Sequence, residues 1–240
     1  MSTLILYSSK NSHGRKDATG AFIPEAQNFG DTHGVPLHRR VALNLSVRNY
    51  SKRRQMTLDA IEAVPILEPL DCIAFFGHGW PNGLQFGFTR KEIPALVEVL
   101  INRCNLSARI VLYACLAAEN DDRDLMHGNV GPGTDGGFAD MLRDEMVRQG
   151  FEWGWVDAHK TAGHTTWNPF LVRFLHESVT DITAGGIGGA WLVAPRSQYW
   201  TAWKEALRDK VGGLRYRFPF MTEIEIKAEL AGIPLSSVPS

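Results

Sequence analysis

The chain is poor in cysteine, almost without net charge and free of long hydrophobic runs. It holds three cysteines in 240 residues. An odd number placed within apolar segments excludes a disulfide-stapled scaffold and predicts a reducing compartment. The formal charge of −1 excludes nucleic-acid binding driven by broad phosphate neutralisation. No apolar stretch approaches the ~20 residues needed to cross a bilayer. Met1-Ser2-Thr3 lacks the basic start of a secretory signal, and Leu4 to Tyr7 is too short for its apolar core. These absences predict a soluble, cytoplasmic protein with neither a nucleic-acid nor a membrane partner. The glycine-rich stretch from Ala184 to Ala190 lacks the Gly-Lys-Ser/Thr ending of a P-loop and the full dinucleotide fingerprint. It reads as a flexible loop, and no organic cofactor is expected.

What the chain does have is an alternation of strand-like and helix-like segments, the pattern of an α/β fold with a mostly parallel central sheet flanked by helices. Leu4 to Ser8 reads as a first strand, and Val35 to Leu43 as a second, weakened by Pro36. Asn49 to Val64 reads as a helix with Met56, Ile61 and Val64 inward. Cys72 to Phe76 is a strand, Pro81-Asn82-Gly83 a short hairpin, Arg90 to Cys104 a helix, and Arg109 to Ala114 a strand. Asp135 is a plausible N-cap for a helix through Phe138, Met141, Leu142, Met146 and Val147 that stops at Gly150. Phe151 to Val156 alternates as a further strand. Residues 1–185 are expected to form this domain. Residues 186–240, with Trp191, Tyr199, Trp200 and Trp203, are expected to pack on it as an aromatic-rich extension.

Two side chains leave strand ends in a way that bears on chemistry. Gly77-His78-Gly79 follows the strand ending at Phe76, and Cys115 follows the strand ending at Ala114. The strand, helix and strand between them form a βαβ unit, whose strands are parallel and normally adjacent. Their C-terminal ends then share the sheet edge where open α/β folds bind ligands. His78 and Cys115 would meet there, as a thiol nucleophile and its base must. The opposing reading is that Cys115 is a packing residue, the usual fate of a cysteine beside a strand. Cys72 and Cys104 are read that way, Cys72 opening a strand and Cys104 closing a helix.

The dyad segments resemble the caspase-like (clan CD) cysteine peptidases, a group that includes caspases, metacaspases and the CHAT-domain proteases. The matching residues are Gly77, His78, Gly79, Ala114 and Cys115, each set behind its apolar strand, and the likeness covers roughly residues 70–155. Leu116 and Ala117 depart from caspases, which carry a polar residue and glycine there, so aspartate specificity does not carry over. The resemblance implies a caspase-like α/β/α sandwich and a thiol protease acting on protein or peptide substrates through a His78–Cys115 dyad. It also implies an oxyanion hole made by the backbone N–H groups of Gly79 and Cys115. Other acyl-transfer hydrolysis by the same dyad, and a catalytically silent protein-binding module, are the alternatives.

Weaker candidates surround the pair. Glu119, Asp121, Asp122 and Asp124 form an acidic cluster after Cys115. It reads as a solvated loop, as a pocket for a basic P1 side chain, or as a calcium site, since hard cations take carboxylate oxygens. A basic P1 residue is the specificity expected from it. His159 and His164 follow the Trp153 strand and are candidates for lining the substrate pocket. A metal reading lacks a third ligand at zinc spacing, so no metal site is assigned. Arg39-Arg40 and Lys52-Arg53-Arg54 read as a solvated basic face.

Overall fold

The computed structural model describes residues 2–11, 19–118, 137–151, 153–159, 171–174 and 187–188. Its centre is a seven-stranded sheet. Five strands are parallel: β1 (Thr3–Asn11), β2 (Arg40–Leu45), β3 (Leu70–Phe76), then, beyond a small meander, β7 (Cys104–Tyr113) and β8 (Trp155–Ala158). They lie in the order β2-β1-β3-β7-β8, a doubly wound arrangement. β9 (Leu171–Phe174) and β10 (Ile187–Gly188) extend the β8 edge antiparallel. The meander, β4 (Gly79–Trp80), β5 (Gly83–Leu84) and β6 (Phe88–Thr89), hangs from the end of β3 as a separate three-stranded sheet.

The inner strands are apolar on both sides because both faces are covered. On one face Ile73 and Phe75 of β3, with Ile110 and Leu112 of β7, meet three helices: α2 (Tyr50–Glu62), α3 (Ile93–Ile101) and α4 (Gly137–Arg148). Ile93, Leu96, Val97 and Leu100 fall at helical spacing and are buried, so α3 presents one stripe to the sheet. Each such side chain contributes about 1.5–3 kcal/mol by leaving water. On the other face Ile5, Tyr7, Cys72, Ala74, Phe76, Val111 and Tyr113 pack with Phe22, Ala26 and Phe29 of α1 (Thr19–Thr32). The α/β class with a mostly parallel sheet and flanking helices is therefore as expected. Among the described residues no helix is long and apolar enough to cross a membrane.

Several boundaries differ from the sequence reading, each for a local reason. Pro36 caps a turn of 3-10 helix at Leu37–Arg39, so β2 starts later, at Arg40. Thr89 and Glu92 form a capping box over a 3-10 turn, so α3 begins only at Ile93. Cys104 opens β7 instead of closing a helix, in register with Leu70. β8 begins at Trp155, and Trp153 lies outside it with 73% of its surface exposed. Asp135 lies outside the described residues.

The basic groups are not a solvated face. Arg39 is buried and paired with Glu68. Arg40 pairs with Asp31 at 2.7 Å and donates to the Val35 carbonyl. Arg53 is buried, donates to the Val47 carbonyl and lies over the Tyr50 ring. Their aliphatic stems fill gaps at the edges of the core while their heads find acceptors. Lys52 alone of the five is fully exposed.

Candidate active site

The site is built by the register of β3 and β7. Phe76 lies opposite Tyr113, and the Gly77 N–H donates to the Tyr113 carbonyl at 3.2 Å. Two residues further along, the chains reach His78 and Cys115. Side chains two apart in a strand share a face. Phe76 and Tyr113 face α1, and His78 and Cys115 follow them just past the ends of adjacent strands. The His78 ring meets the Phe22 ring of α1 edge-on, with centroids 5.0 Å apart. Cys115 lies near Tyr113: burial first, then Glu25 and Cys115, hold the Tyr113 phenol well above its usual range.

Two contacts draw the strand ends together. A Cβ on Gly79 would stand 2.7 Å from the Ala114 Cβ and 2.9 Å from the Cys115 carbonyl oxygen. Only a residue without a side chain lets the His78 segment approach the Cys115 segment this closely. Beyond Cys115 the chain turns sharply. The Ala117 N–H reaches back to the Ala114 carbonyl at 3.5 Å, and Leu116 has a φ of 60°. That left-handed conformation costs a residue with a Cβ about 1–2 kcal/mol, and such strain gathers at functional positions. The turn is pinned on both sides: Ala118 donates to the His159 carbonyl at 2.9 Å, and Ala139 donates to the Ala117 carbonyl at 2.8 Å.

The three thiols differ in kind. Cys72 and Cys104 are buried, and burial pushes each up to about 12. They are packing residues with inert thiols. Cys115 is half-buried, as is His78. A base and a nucleophile that both reach the surface at one sheet edge can meet a substrate there. The hairpin supplies a further element. The His78–Gln85 pair is hydrogen-bonded through the Gln85 N–H and the His78 carbonyl at 2.9 Å, so the next pair, Gly79–Leu84, is the non-bonded kind. In that alternation the Gly79 N–H turns away from β5.

β8 is parallel to β7, so His159 leaves the same edge as the dyad. Its ring is fully buried and meets the Tyr113 ring edge-on at 4.6 Å. Glu119, Asp121, Asp122, Asp124 and His164 lie outside the described residues. Among the described residues no group of three or more His, Cys, Asp or Glu side chains converges as a metal site would require.

Two residues of the site have no place in the sequence reading, and a third, Leu116, is named there only as a departure from caspases. Glu25 of α1 is buried beside Tyr113. Its spacing from Phe22, Ala26 and Phe29 was the available signal for an inward carboxyl on an apolar helix face. Gln85 is buried against His78. Leu116 carries its backbone strain without any mark in its residue type. No protein-family model, curated protein or solved structure matches the chain, so the functional reading rests on the site itself.

Proposed function

We propose that the protein is a cysteine peptidase in which Cys115 is the nucleophile and His78 its general base and acid, of the kind that the caspase-like peptidases exemplify. One observation supports the reading: a half-buried histidine and a half-buried cysteine each follow by two residues the paired Phe76 and Tyr113 that end the adjacent strands β3 and β7, while the other two thiols are buried. The imidazole takes the thiol proton, and the thiolate attacks the scissile carbonyl carbon. The resulting oxyanion takes hydrogen bonds from the Gly79 and Cys115 N–H groups. The tetrahedral intermediate collapses with cleavage of the C–N bond, and His78 gives its proton to the leaving amine. Water, deprotonated by His78, then hydrolyses the thioester and returns the thiol.

The acidic run from Glu119 to Asp124 follows Cys115 closely in sequence, so the substrate specificity we assign is for Arg or Lys at P1. A carboxylate pairs with a guanidinium through two charge-assisted hydrogen bonds, which favours Arg over Lys. The test is an acyloxymethyl-ketone peptide probe with Arg at P1, applied to the wild-type chain and to Cys115→Ala and His78→Ala. Labelling of Cys115 that is lost in both variants supports the proposal. Labelling that is absent from the wild type, or that survives in His78→Ala at the wild-type rate, removes it.

A further inference from the structure

The hairpin after β3 departs from a regular ladder at His78. In a hydrogen-bonded antiparallel pair the two residues exchange both backbone bonds. Here the Gln85 N–H donates to the His78 carbonyl at 2.9 Å, but the His78 N–H donates to the Gln85 side-chain oxygen Oε1, at 3.0 Å. Gln85 thus grips His78 by both backbone groups. Gln85 is 2% exposed. A Cβ on Gly77 would lie 3.2 Å from Oε1 and 2.7 Å from the Phe86 ring, so the amide fits into a notch that glycine leaves open.

The segment that carries Gln85 is itself anchored. The Phe86 ring packs edge-on to Phe75 of β3, with centroids 5.2 Å apart, and the Phe86 carbonyl accepts from the buried Thr57 hydroxyl of α2 at 3.1 Å. The clamp therefore ties His78 to the core and not to another loop. It also has a cost. The Gln85 Nε2 is buried and makes no hydrogen bond among the described residues. An unmade buried donor costs about 1–3 kcal/mol. What the glutamine does make is a bond from its acceptor to the backbone of the candidate base.

We infer that Gln85 is a positioning residue that sets the His78 imidazole against Cys115 by fixing the His78 main chain from both sides. The inference rests on the dyad reading above. Gln85 touches neither the substrate nor the sulfur. It acts through His78, and its loss lets the imidazole drift from the thiol.

The test reads the rate of Cys115 alkylation by iodoacetamide against pH in the full-length chain, which needs no known substrate. A nearby imidazolium lowers a thiol pKa from about 8.5, so the profile reports where His78 stands. Glu25, Tyr7, Cys72, Tyr113 and His159, titratable groups described on or beside that face, stay unchanged throughout. Gln85→Met keeps the shape and removes the acceptor. It should move the midpoint up by about one pH unit, roughly a tenfold slower reaction at neutral pH, with little change in melting temperature because the unmade donor goes too. Gln85→Asn, too short to reach, should behave alike and serves if Gln85→Met does not fold. Wild-type behaviour in both Gln85→Met and Gln85→Asn overturns the clamp. The dyad reading fails separately, if His78→Ala and the wild type have the same profile.

Discussion

Cys115 lies just past the end of β7 and Cys72 inside β3, and their surroundings make them different reagents. Cys72 is sealed in the core, where burial disfavours its thiolate. Cys115 is half-buried on a strained turn. Cys115→Ala should abolish hydrolysis and leave the melting temperature nearly unchanged. Cys72→Ala should keep the catalytic thiol but cost about 1–2 kcal/mol by leaving a small cavity. Paired thermal melts and activity assays check this, and equal destabilisation by both would make Cys115 a packing residue. At this scale the sequence was most informative where residue type and strand context coincide, at His78 and Cys115. Gln85 was not legible, because a single glutamine beside a turn carries no periodic signal and its role depends on a fold-back contact. Glu25 was hidden for a related reason: Pro24 and the flanking glycines obscure α1, so its buried face did not stand out.

Among the elements, β3 and β7 matter most, because the proposed site requires their ends to stay in contact. Gly79 is the point of closest approach. Gly79→Ala would set a methyl against the Ala114 side chain and the Cys115 carbonyl. Backbone cannot yield as a flexible side chain does, so the two strand ends must part. The expected outcome is a loss of stability of about 1–3 kcal/mol with a much larger loss of turnover, measured by denaturant titration alongside kcat/KM. Unchanged turnover would show that the close approach has no part in the chemistry. The strand cores were readable because buried parallel strands are continuous apolar runs. Their ends were not. Asn105 and Ser107 belong to β7 but precede the strand expected from Arg109, since they fall in a register shift opposite β3, where Asn105 donates its side-chain amide to the Asp71 carboxylate at 2.7 Å. The arginines were misread because sequence shows charge but not the acceptors that receive it.

The whole molecule keeps several weak acids neutral in its interior, and this sets its response to alkali. Cys72 and Cys104 are each pushed up to about 12 by burial, and Tyr113 is raised by burial and then by Glu25 and Cys115. In the unfolded chain the thiols ionise near 9. Folded pKa values above unfolded ones give stability that is complete below pH 9 and is lost as pH rises through the folded values. Between pH 9 and 12 each buried thiol should remove ~1.4 kcal/mol per pH unit. Melting temperature should therefore fall more steeply with pH in the wild type than in Cys72→Ala, and parallel curves would count against the assignment. The chain-wide reading of specificity has its own check. Asp121→Asn combined with Asp122→Asn should weaken the preference for Arg at P1, as read from paired Arg and Gln peptide substrates. An unchanged preference would return the acidic run to a surface role.

The central claim is that Cys115 and His78 together hydrolyse peptide bonds. The measurement that meets it most directly is cleavage of a diverse peptide library by the full-length chain, with products identified by mass spectrometry, beside Cys115→Ala and His78→Ala. The dyad predicts cleavage by the wild type, after Arg or Lys, that falls by at least ~10²-fold in each variant, the scale of a lost nucleophile or general base, while both variants melt with the wild type. Cleavage that persists in Cys115→Ala, or a wild type that cleaves no peptide, would contradict it.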